Sequence, residues 1–530
     1  MKLNEFNIKI QYKLNEIRDR EQQTIKTMAR GAGVVFVGMI AARVLGYILR
    51  VLLKRHLGLD DFGLVSTGVV IMEIATMLSV MGLPQAIARF IAFHLSRKEY
   101  SKVAGTLKAS FIIGLPCILL TSGLVYLFAS VLANHVFQKP GLLYVIHRFW
   151  LLIPLLGITM LSSSVLRGLK QMFAMIFSQQ IARNLFVLFC FVLLALAGFK
   201  LDSAIYGYIY GFIIMAAVSL LLVARAVPYK ELFARKPAKM ASILVTYSWP
   251  LVFSTILWFL IGRVDTLFLA SFMTIDQAGI YNAVLPLAQF VTVTPQSFAM
   301  ISMPLISGVF ARGDESSLEP IYLTTSKWLL MFTLPVYLPI VIYAEPLLVK
   351  FFGSDCASGA AALRILSTGF FVNAVVGPAT MTLSADARTR LILLNTLVSL
   401  LINVVCNITL IPLWGISGSA TASALAVAGT HIIAAVQAYH LYGVVPFKKV
   451  FLRIIAVAAT AVALVGVADV IFGFEENLLN LTALSFVLIG LYLAGLLVTR
   501  CFDSTDIIIL ESLEAKFNVH AEFLKRFMRD

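Results

Sequence analysis

Long apolar segments separated by short polar ones run along almost the whole chain. Fourteen of them carry few charges and are about 20 residues long, the length that an α-helix needs to cross the apolar core of a bilayer. The chain is therefore predicted to be an all-α polytopic membrane protein with about fourteen transmembrane helices. The predicted spans are 31–53, 63–84, 108–132, 143–166, 174–198, 203–224, 246–271, 280–308, 328–349, 360–383, 391–412, 416–440, 450–473 and 479–499.

Basic residues lie mostly on one side of these spans. Of the 42 Lys and Arg residues, 31 fall on the side that holds both termini and 7 on the other side. Because cytoplasmic loops are enriched in Lys and Arg, both termini are predicted to be cytoplasmic, in a multi-pass protein of the cell membrane. The net charge of +15 thus reports topology and does not indicate a nucleic-acid partner. The polar N-terminal residues run directly into a full-length span, which predicts that there is no cleavable signal peptide.

The chain contains a weak internal duplication. Two pairs of similar segments lie at equivalent span boundaries, 59–64 with 275–280 (an offset of 216) and 204–207 with 415–418 (an offset of 211). This predicts two lobes of six spans each. Since six is an even number, the lobes share one orientation and form a parallel repeat about an axis along the membrane normal.

The duplication and the span pattern predict six successive segments. They are a cytoplasmic N-terminal tail (1–30), an N-terminal six-helix lobe (31–225), a basic cytoplasmic linker (226–245), a C-terminal six-helix lobe (246–440), transmembrane helices 13 and 14 (441–500) and an amphipathic cytoplasmic tail (501–530).

Two arginines lie inside the first predicted span. Arg43 and Arg50 are seven residues apart, so on a helix they face the same side, about 10 Å apart along the axis. A charge at membrane depth costs roughly 2.5–3.5 kcal/mol, so such residues usually face a water-filled cavity or a partner. The planar fork of arginine suits phosphate, which predicts an intramembrane anion site. Alternatively, Arg50 reaches the membrane surface and Arg43 pairs with Glu73 of the second span, a carboxylate that could instead couple transport to a proton or cation.

The seventh predicted span carries Arg263 and Asp265. Two residues apart on a helix correspond to a rotation of about 200°, so the two side chains point to different sides unless the helix breaks at Gly262. Asp265 lies roughly in line with Ser254 and Trp258, a stripe that could line a cavity. We therefore predict that Asp265 faces the cavity and that Arg263 lies at a lobe or helix interface.

Further polar residues lie within other spans. Arg183 has no evident carboxylate neighbour, and both a packing role and substrate contact stay open. Asn403 and Asn407, one helical turn apart, are predicted to form interhelical hydrogen bonds. There is no phosphate-cradling glycine loop and no nucleophile–base signature. The sequence thus predicts a protein that is not an enzyme and has no cofactor, with any transport passive or coupled to a proton or sodium gradient.

Several motifs resemble those of one family. ARVLGYILR at 42–50 is followed by DFGL at 61–64 and GLPQAIAR at 82–89, and the second half carries RVD at 263–265 and AGIYN at 278–282. Together they resemble the polysaccharide-biosynthesis flippases of the multidrug/oligosaccharidyl-lipid/polysaccharide (MOP) exporter superfamily. The resemblance covers spans 1 to 12.

The resemblance implies two six-helix lobes around a central cavity that opens alternately to each side. Such proteins flip lipid-linked saccharides, whose diphosphate and sugars cross in the cavity while the lipid tail stays in the bilayer. In the lipid II flippases of this superfamily, cationic residues of span 1 line the cavity, and Arg43 and Arg50 match that role. Those flippases commonly have Asp after the second arginine, whereas Val51 follows Arg50 here, which argues against lipid II as the substrate. Spans 13 and 14 resemble the extra pair that forms a lipid-tail groove in those relatives.

The sequence therefore predicts a flippase for a lipid-linked diphosphate oligosaccharide or polysaccharide precursor. The predicted substrate-binding residues are Arg43, Arg50, Glu73, Arg263 and Asp265. The implied partners are membrane lipids, the lipid-linked saccharide, and glycosyltransferases or a polymerase of the same pathway. One alternative is a cation-coupled multidrug antiporter of the same superfamily, which typically carries a carboxylate in span 1. The other is a non-vectorial scramblase or scaffold in glycan assembly.

Overall fold

A computed structural model of the chain describes residues 37–227, 236–249, 252, 262–313, 318–445, 448–473, 477–499 and 501–502, which are almost entirely helical. The predicted N-terminal tail and nearly all of the amphipathic C-terminal tail lie outside the described residues. So do Ser254 and Trp258 of the predicted stripe on span 7.

The helices of the first half begin within the first predicted span. They are α1 (37–57), α2 (Leu59–Ser79), α3 (Leu83–Ser96), α4 (Tyr100–Leu127), α5 (Pro140–Phe149), α6 (Leu152–Gly168), α7 (Met172–Leu196) and α8 (Leu201–Ala226).

The second half continues with helices on both sides of the undescribed part of span 7. They are α9 (241–249), α10 (Val264–Phe272), α11 (Ile275–Ala288), α12 (Val293–Arg312), α13 (Leu318–Ile342), α14 (Ala344–Phe352), α15 (Ala360–Val376), α16 (Pro378–Ala385), α17 (Thr389–Trp414), α18 (Ile416–Tyr442), α19 (Lys449–Phe472) and α20 (Leu478–Val498).

Many of these helices match the predicted membrane spans. Within the described residues, ten helices are long and apolar enough to cross a membrane, or eleven when α5 and α6, bent by 46° at their junction, count as one span. Each predicted span overlaps a helix or two consecutive helices. The all-α polytopic fold is thus confirmed, while the number of fourteen spans stays a prediction.

The second predicted span ends earlier than the sequence suggested. Met81 and Gly82 both adopt positive φ angles, 46° and 70°, so α2 stops at Ser79 and a separate helix, α3, begins at Leu83. Pro84 lies in the first turn of α3, where its missing N–H costs nothing. The backbone therefore turns where the hydrophobic run alone indicated one continuous span.

The two halves cross closely at two glycines. A Cβ added to Gly63 would clash with the carbonyl oxygen of Ile275, and one added to Gly279 would lie 3.1 Å from the carbonyl oxygen of Leu59. These residues are equivalent in the repeat with the offset of 216. The matching motifs at 59–64 and 275–280 therefore mark a symmetric crossing of α2 and α11.

Polar contacts join the halves near the same end of the bundle. Lys54 Nζ donates to Asp355 Oδ2 (2.9 Å), and Arg55 Nε donates to the carbonyl oxygen of Phe351 (2.8 Å). These contacts and the glycine crossing hold the lobes together on the predicted external side.

The described part of the predicted linker lies against the N-terminal half. Ser101 Oγ donates to the carbonyl oxygen of Lys236 (2.6 Å), and the backbone N–H of Ala238 donates to the carbonyl oxygen of Ser101 (3.0 Å). Arg89 Nη1 of α3 also donates to the hydroxyl of Tyr247 in α9 (2.7 Å). The start of span 7 is thereby fixed to the first lobe.

Candidate functional site

Helix α1 turns Arg43 and Arg50 toward the centre of the molecule. Gly46 lies between them, and Asn184 Nδ2 of α7 is 3.1 Å from the position that a Cβ on this glycine would occupy. Asn184 Nδ2 also donates to the carbonyl oxygen of Ala42 (2.8 Å). The close approach at the glycine and this hydrogen bond fix how α1 is rotated, and so where Arg43 and Arg50 point.

Glu73 of α2 is the centre of an ion-pair cluster. Its side chain is only 7% exposed, Arg183 of α7 donates a hydrogen bond to its Oε1, and Nη2 of Arg263 lies 2.9 Å from its Oε2. Because Arg263 belongs to the second half of the chain, this carboxylate joins the two lobes. It offsets one of the two positive charges that contact it.

A cavity of about 320 Å³ lies between the lobes beside this cluster. Its walls include Arg43, Arg50, Arg183 and Arg263, together with the amide side chains of Gln179 and Gln180. A smaller adjoining cavity is lined by Glu73 and shares three of these arginines. Four guanidinium groups therefore surround the space against the single carboxylate of Glu73, which gives these walls a clear excess of positive charge.

Arg50 borders both cavities. Within the part of the chain that the structure describes, its half-buried guanidinium has no hydrogen-bond acceptor. A desolvated guanidinium without an acceptor is unfavourable, since a missing hydrogen bond costs about 1–3 kcal/mol or more for a charged group. Its five donors are thus available to an anion in the cavity.

Arg43 instead contacts the second half of the chain. Its Nη1 donates to the carbonyl oxygen of Gln289 (2.7 Å), and its Nη2 donates to Thr292 Oγ1 (3.1 Å) and Gln296 Oε1 (2.9 Å). All three acceptors are neutral, and the first two lie in the 3₁₀ turn Gln289–Thr292 that separates α11 from α12.

The carboxylate of Asp265 is buried inside the second lobe and is 2% exposed. Its Oδ1 accepts from Asn403 Nδ2 (3.0 Å) and Asn407 Nδ2 (2.9 Å), and its Oδ2 accepts from the Tyr281 hydroxyl (2.5 Å) and from Ser423 Oγ. No Lys or Arg among the described residues forms an ion pair with it. The site is therefore a buried carboxylate held by four neutral side chains.

Two family profiles match the sequence. The profile described as "Polysaccharide biosynthesis protein" matches residues 28–310, more than half of the chain, and the profile described as "MatE" matches residues 250–409. The chain belongs to the polysaccharide biosynthesis protein family. This confirms the resemblance to the MOP superfamily that the motifs of spans 1 to 12 predicted.

Two curated relatives are similar to parts of this family member. The "Probable low-salt glycan biosynthesis flippase Agl15" of Haloferax volcanii is 23% identical over 308 residues, which cover 58% of this chain and 62% of that protein. "Stage V sporulation protein B" of Bacillus subtilis is 29% identical over 146 residues, which cover 28% and 27%. The chain thus spans less than two thirds of the length of these relatives.

Solved structures of the superfamily share the fold. "Lipid II flippase MurJ, inward closed conformation" superposes with a TM-score of 0.67 at 14% identity, covering 88% of this chain and 98% of that one. An inward-facing multidrug resistance MATE transporter of the MOP superfamily gives 0.65 at 12% identity, covering 76% and 94%. The relatives and neighbours cited here are named as flippases or transporters and not as enzymes, apart from the sporulation protein, whose name gives no activity.

The structure brings together most of the residues that the sequence singled out in this family member. Arg43, Arg50, Arg263 and Glu73 lie around the two adjoining cavities, and Arg263 lies at the lobe interface as predicted. The suggested pairing of Arg43 with Glu73 is not found, because Arg183 and Arg263 contact that carboxylate instead.

Asp265 is the predicted site residue that lies elsewhere. Arg263 precedes α10 and Asp265 lies in its first turn, where the helix directs the carboxylate toward α17 and α18, away from the cavity. The predicted interhelical hydrogen bonds of Asn403 and Asn407 are confirmed, and Asp265 is their acceptor. Sequence analysis did not identify Gln289, Thr292 and Gln296, whose uncharged side chains carry no signal by themselves.

Helices α19 and α20 form an apolar groove of about 490 Å³, in the position where the resemblance to the superfamily placed a lipid-tail groove. It is lined by Ala456, Val457, Thr460, Leu464, Leu491 and Gly495, with Arg453 at one end. Tyr492 of α20 donates to the carbonyl oxygen of Met331 in α13 (3.1 Å), which attaches the pair to the second lobe.

Proposed function

We propose that this protein flips a lipid-linked saccharide across the membrane, binding its diphosphate in the arginine-lined cavity and exposing the cavity to each side in turn. The observation that carries the proposal is the net positive charge of the cavity walls, which hold four arginines and the single carboxylate of Glu73. A diphosphate brings several negative charges and planar pairs of oxygen acceptors, which match the guanidinium fork. Two of the similar proteins are named as flippases, which supports this reading.

The MatE match over residues 250–409 supports a second candidate, a cation-coupled multidrug antiporter. The described part of predicted span 1 (37–53) carries two arginines and no acidic side chain, whereas such antiporters typically carry a carboxylate in this span. A cationic drug entering the cavity would meet four guanidinium groups and be repelled. The anionic substrate is therefore favoured.

We expect Arg50→Gln to weaken binding of farnesyl diphosphate, used as a probe for the natural lipid diphosphate, by about ten- to a hundredfold. The reason is the loss of charge-assisted hydrogen bonds, each contributing roughly 1.5–3 kcal/mol. Arg50→Lys should recover only part of the affinity, because lysine keeps the charge without the planar fork. Titration calorimetry on the purified full-length protein measures all three affinities, with farnesol as the reference ligand.

The matched control is Arg390→Gln, which removes an exposed arginine at the start of α17, outside the cavity walls. It should bind farnesyl diphosphate as the wild type does. A well-folded Arg50→Gln variant with wild-type affinity, or a wild type that binds farnesol as tightly as farnesyl diphosphate, would refute the anion site. A scramblase or scaffold would lack this diphosphate selectivity.

We also propose that both termini are cytoplasmic and that glycosyltransferases or a polymerase of the same pathway supply or consume the substrate. The support for the orientation is the bias of basic residues toward the side of the termini. A cysteine replacing the exposed Lys236, in a variant without the five native cysteines, should react with an impermeant thiol reagent only after the cells are permeabilised. Reaction in intact cells would reverse the orientation.

We further propose that the Asp265 cluster binds the coupling ion, a proton or a sodium ion. A buried carboxylate with neutral partners attracts a small cation, because burial without a countercharge is unfavourable. Asn403, Asn407, Ser423 and Tyr281 all carry oxygen atoms that can turn toward such an ion.

A further inference from the structure

Each lobe extends an arginine across to the other lobe. Arg263 of the second lobe contacts Glu73 of α2, and Arg43 of the first lobe contacts Gln289 at the end of α11. At the repeat offset of 216, Gln289 is the position equivalent to Glu73, and the equivalent of Arg263 is Tyr47, one helical turn beyond Arg43. The two bridges are thus nearly symmetric about the lobe interface.

The two bridges differ in their acceptors. Arg263 contacts a buried carboxylate, whereas the acceptors of Arg43 among the described residues are the neutral oxygens of Gln289, Thr292 and Gln296. An anion adds Coulomb attraction to the hydrogen bonds of a guanidinium, and carboxylate or phosphate oxygens match its fork in pairs, so an anion is a better partner than an amide or hydroxyl oxygen. Of the two bridges, the one made by Arg43 is the easier to exchange.

The local backbone makes the acceptors of Arg43 available. α11 ends at Ala288, and in the 3₁₀ turn Gln289–Thr292 that follows, the backbone N–H of Val293 donates to the carbonyl oxygen of Phe290 instead of that of Gln289. The carbonyl oxygen of Gln289 accepts from Thr292 Oγ1 (2.8 Å) as well as from Arg43. The bridge therefore joins α1 to the break between α11 and α12.

We propose that the Arg43 bridge is a latch between the lobes and that the diphosphate of the substrate displaces it. This inference rests on the proposed function, because it takes the diphosphate to enter the cavity that Arg43, Arg50 and Arg183 line. When the diphosphate binds, Arg43 donates to its oxygens instead of to the three neutral acceptors. This releases α1 from α12. The Arg263–Glu73 bridge keeps its carboxylate and holds the lobes together on the other side.

Displacement of the Arg43 bridge predicts a change in diphosphate affinity that a direct contact between Arg43 and the diphosphate does not predict. If the acceptors in the second lobe compete with the diphosphate for Arg43, then removing them should tighten diphosphate binding. If Arg43 is a fixed structural bridge, or contacts the diphosphate without leaving its present acceptors, removing them should leave the affinity unchanged or lower it. The direction of the change separates the accounts.

The decisive variant is Thr292→Val/Gln296→Leu, which removes two of the three acceptors and leaves every arginine in place. We expect its affinity for farnesyl diphosphate to rise about three- to tenfold over the wild type, from the hydrogen bonds that no longer need to be broken. Ser297→Ala is the matched control, since Ser297 Oγ donates only to the carbonyl oxygen of Val293 (2.6 Å) in the same helix. It should bind with wild-type affinity.

The outcomes separate the latch from the proposed function. Unchanged or weaker binding by the folded double variant, while the wild type binds farnesyl diphosphate more tightly than farnesol, overturns the latch and leaves the diphosphate site standing. A wild type that does not prefer farnesyl diphosphate to farnesol overturns both. Circular dichroism and thermal unfolding of each variant establish that it is folded.

The change in lobe arrangement that follows displacement of the latch is measured by the distance between spin labels on cysteines replacing the exposed Ser96 and Arg390, one on each lobe. In a variant without native cysteines, farnesyl diphosphate should shift the distance distribution. The double variant should show the shifted population without ligand. Identical distributions in all these samples would overturn the release of α1 from α12.

Discussion

Replacing Glu73 by glutamine should destabilise the folded protein by about 3–5 kcal/mol, the typical cost of removing one partner from a buried ion pair. Glutamine has nearly the same shape, so packing is retained, but the contacts with Arg183 and Arg263 lose their negative charge. Two guanidinium groups then stay close together at a depth where water compensates them poorly. Thermal unfolding of the purified protein should show a clearly lower midpoint, with lower expression of folded protein.

The control for this effect is Glu99→Gln. Glu99 contacts His94 and Lys102 near the start of α4; its side chain is 32% exposed, against 7% for Glu73, and surface pairs contribute about 0–1 kcal/mol. Glu73→Gln/Arg183→Gln should recover part of the lost stability, because it removes one of the uncompensated charges. Arg43→Gln/Glu73→Gln should recover none, since Arg43 contacts neither partner. Equal unfolding midpoints for Glu73→Gln and the wild type would contradict the cluster.

The membrane helices could be predicted because each needs a long apolar segment, which the sequence displays directly. The ends of the helices were harder to predict, because they depend on backbone conformation. At Met81 and Gly82 two successive positive φ angles end α2 and start α3, and the hydrophobicity of the segment does not reveal this turn. The sequence Gly82-Leu83-Pro84 could have indicated this turn, since Gly tolerates positive φ and Pro favours the first turn of a helix.

The arginines could be identified because a charge inside an apolar span stands out, but their partners could not. Which carboxylate meets which arginine depends on how distant helices pack. Arg183 and Glu73 are 110 residues apart, and their side chains meet where α2 and α7 both line the smaller cavity. The acceptors of Arg43 were missed for a different reason. One is a backbone carbonyl, which every residue has, and it is available because the N–H of Val293 donates to Phe290 in the 3₁₀ turn.

Asp265 and Arg263 illustrate how a separation of two residues decides which side chain reaches the cavity. The charge of Asp265 made it a candidate for the cavity wall, yet only its helical phase relative to Arg263 decides which of the two faces the cavity. The asparagines of α17 were the better indication of its surroundings, because polar side chains one turn apart in a span require partners on a neighbouring helix. The prediction from the sequence, however, placed Asp265 on the cavity wall and did not connect it with these asparagines.

Asp265→Asn should abolish the dependence of flipping on an ion gradient while leaving diphosphate binding within about twofold of the wild type. The substitution keeps the shape of the side chain but removes the only negative charge among Tyr281, Asn403, Asn407 and Ser423. Without that charge, neither a proton nor a sodium ion has a counterion at this site. Because Asp265 lies away from the cavity walls, affinity for farnesyl diphosphate should be retained, in contrast to Arg50→Gln.

The measurement is the flipping rate of a fluorescent lipid diphosphate in proteoliposomes, with a sodium gradient, a pH gradient or neither. The wild type should be accelerated by one of the two gradients, and Asp265→Asn should flip at its no-gradient rate under every condition. Asp355→Asn is the matched control, because it removes a carboxylate whose partner is Lys54, outside the cluster, and should keep the wild-type response to the gradient. Acceleration of Asp265→Asn by the same gradient would place the coupling ion elsewhere, and a wild type that responds to neither gradient would show that flipping is passive.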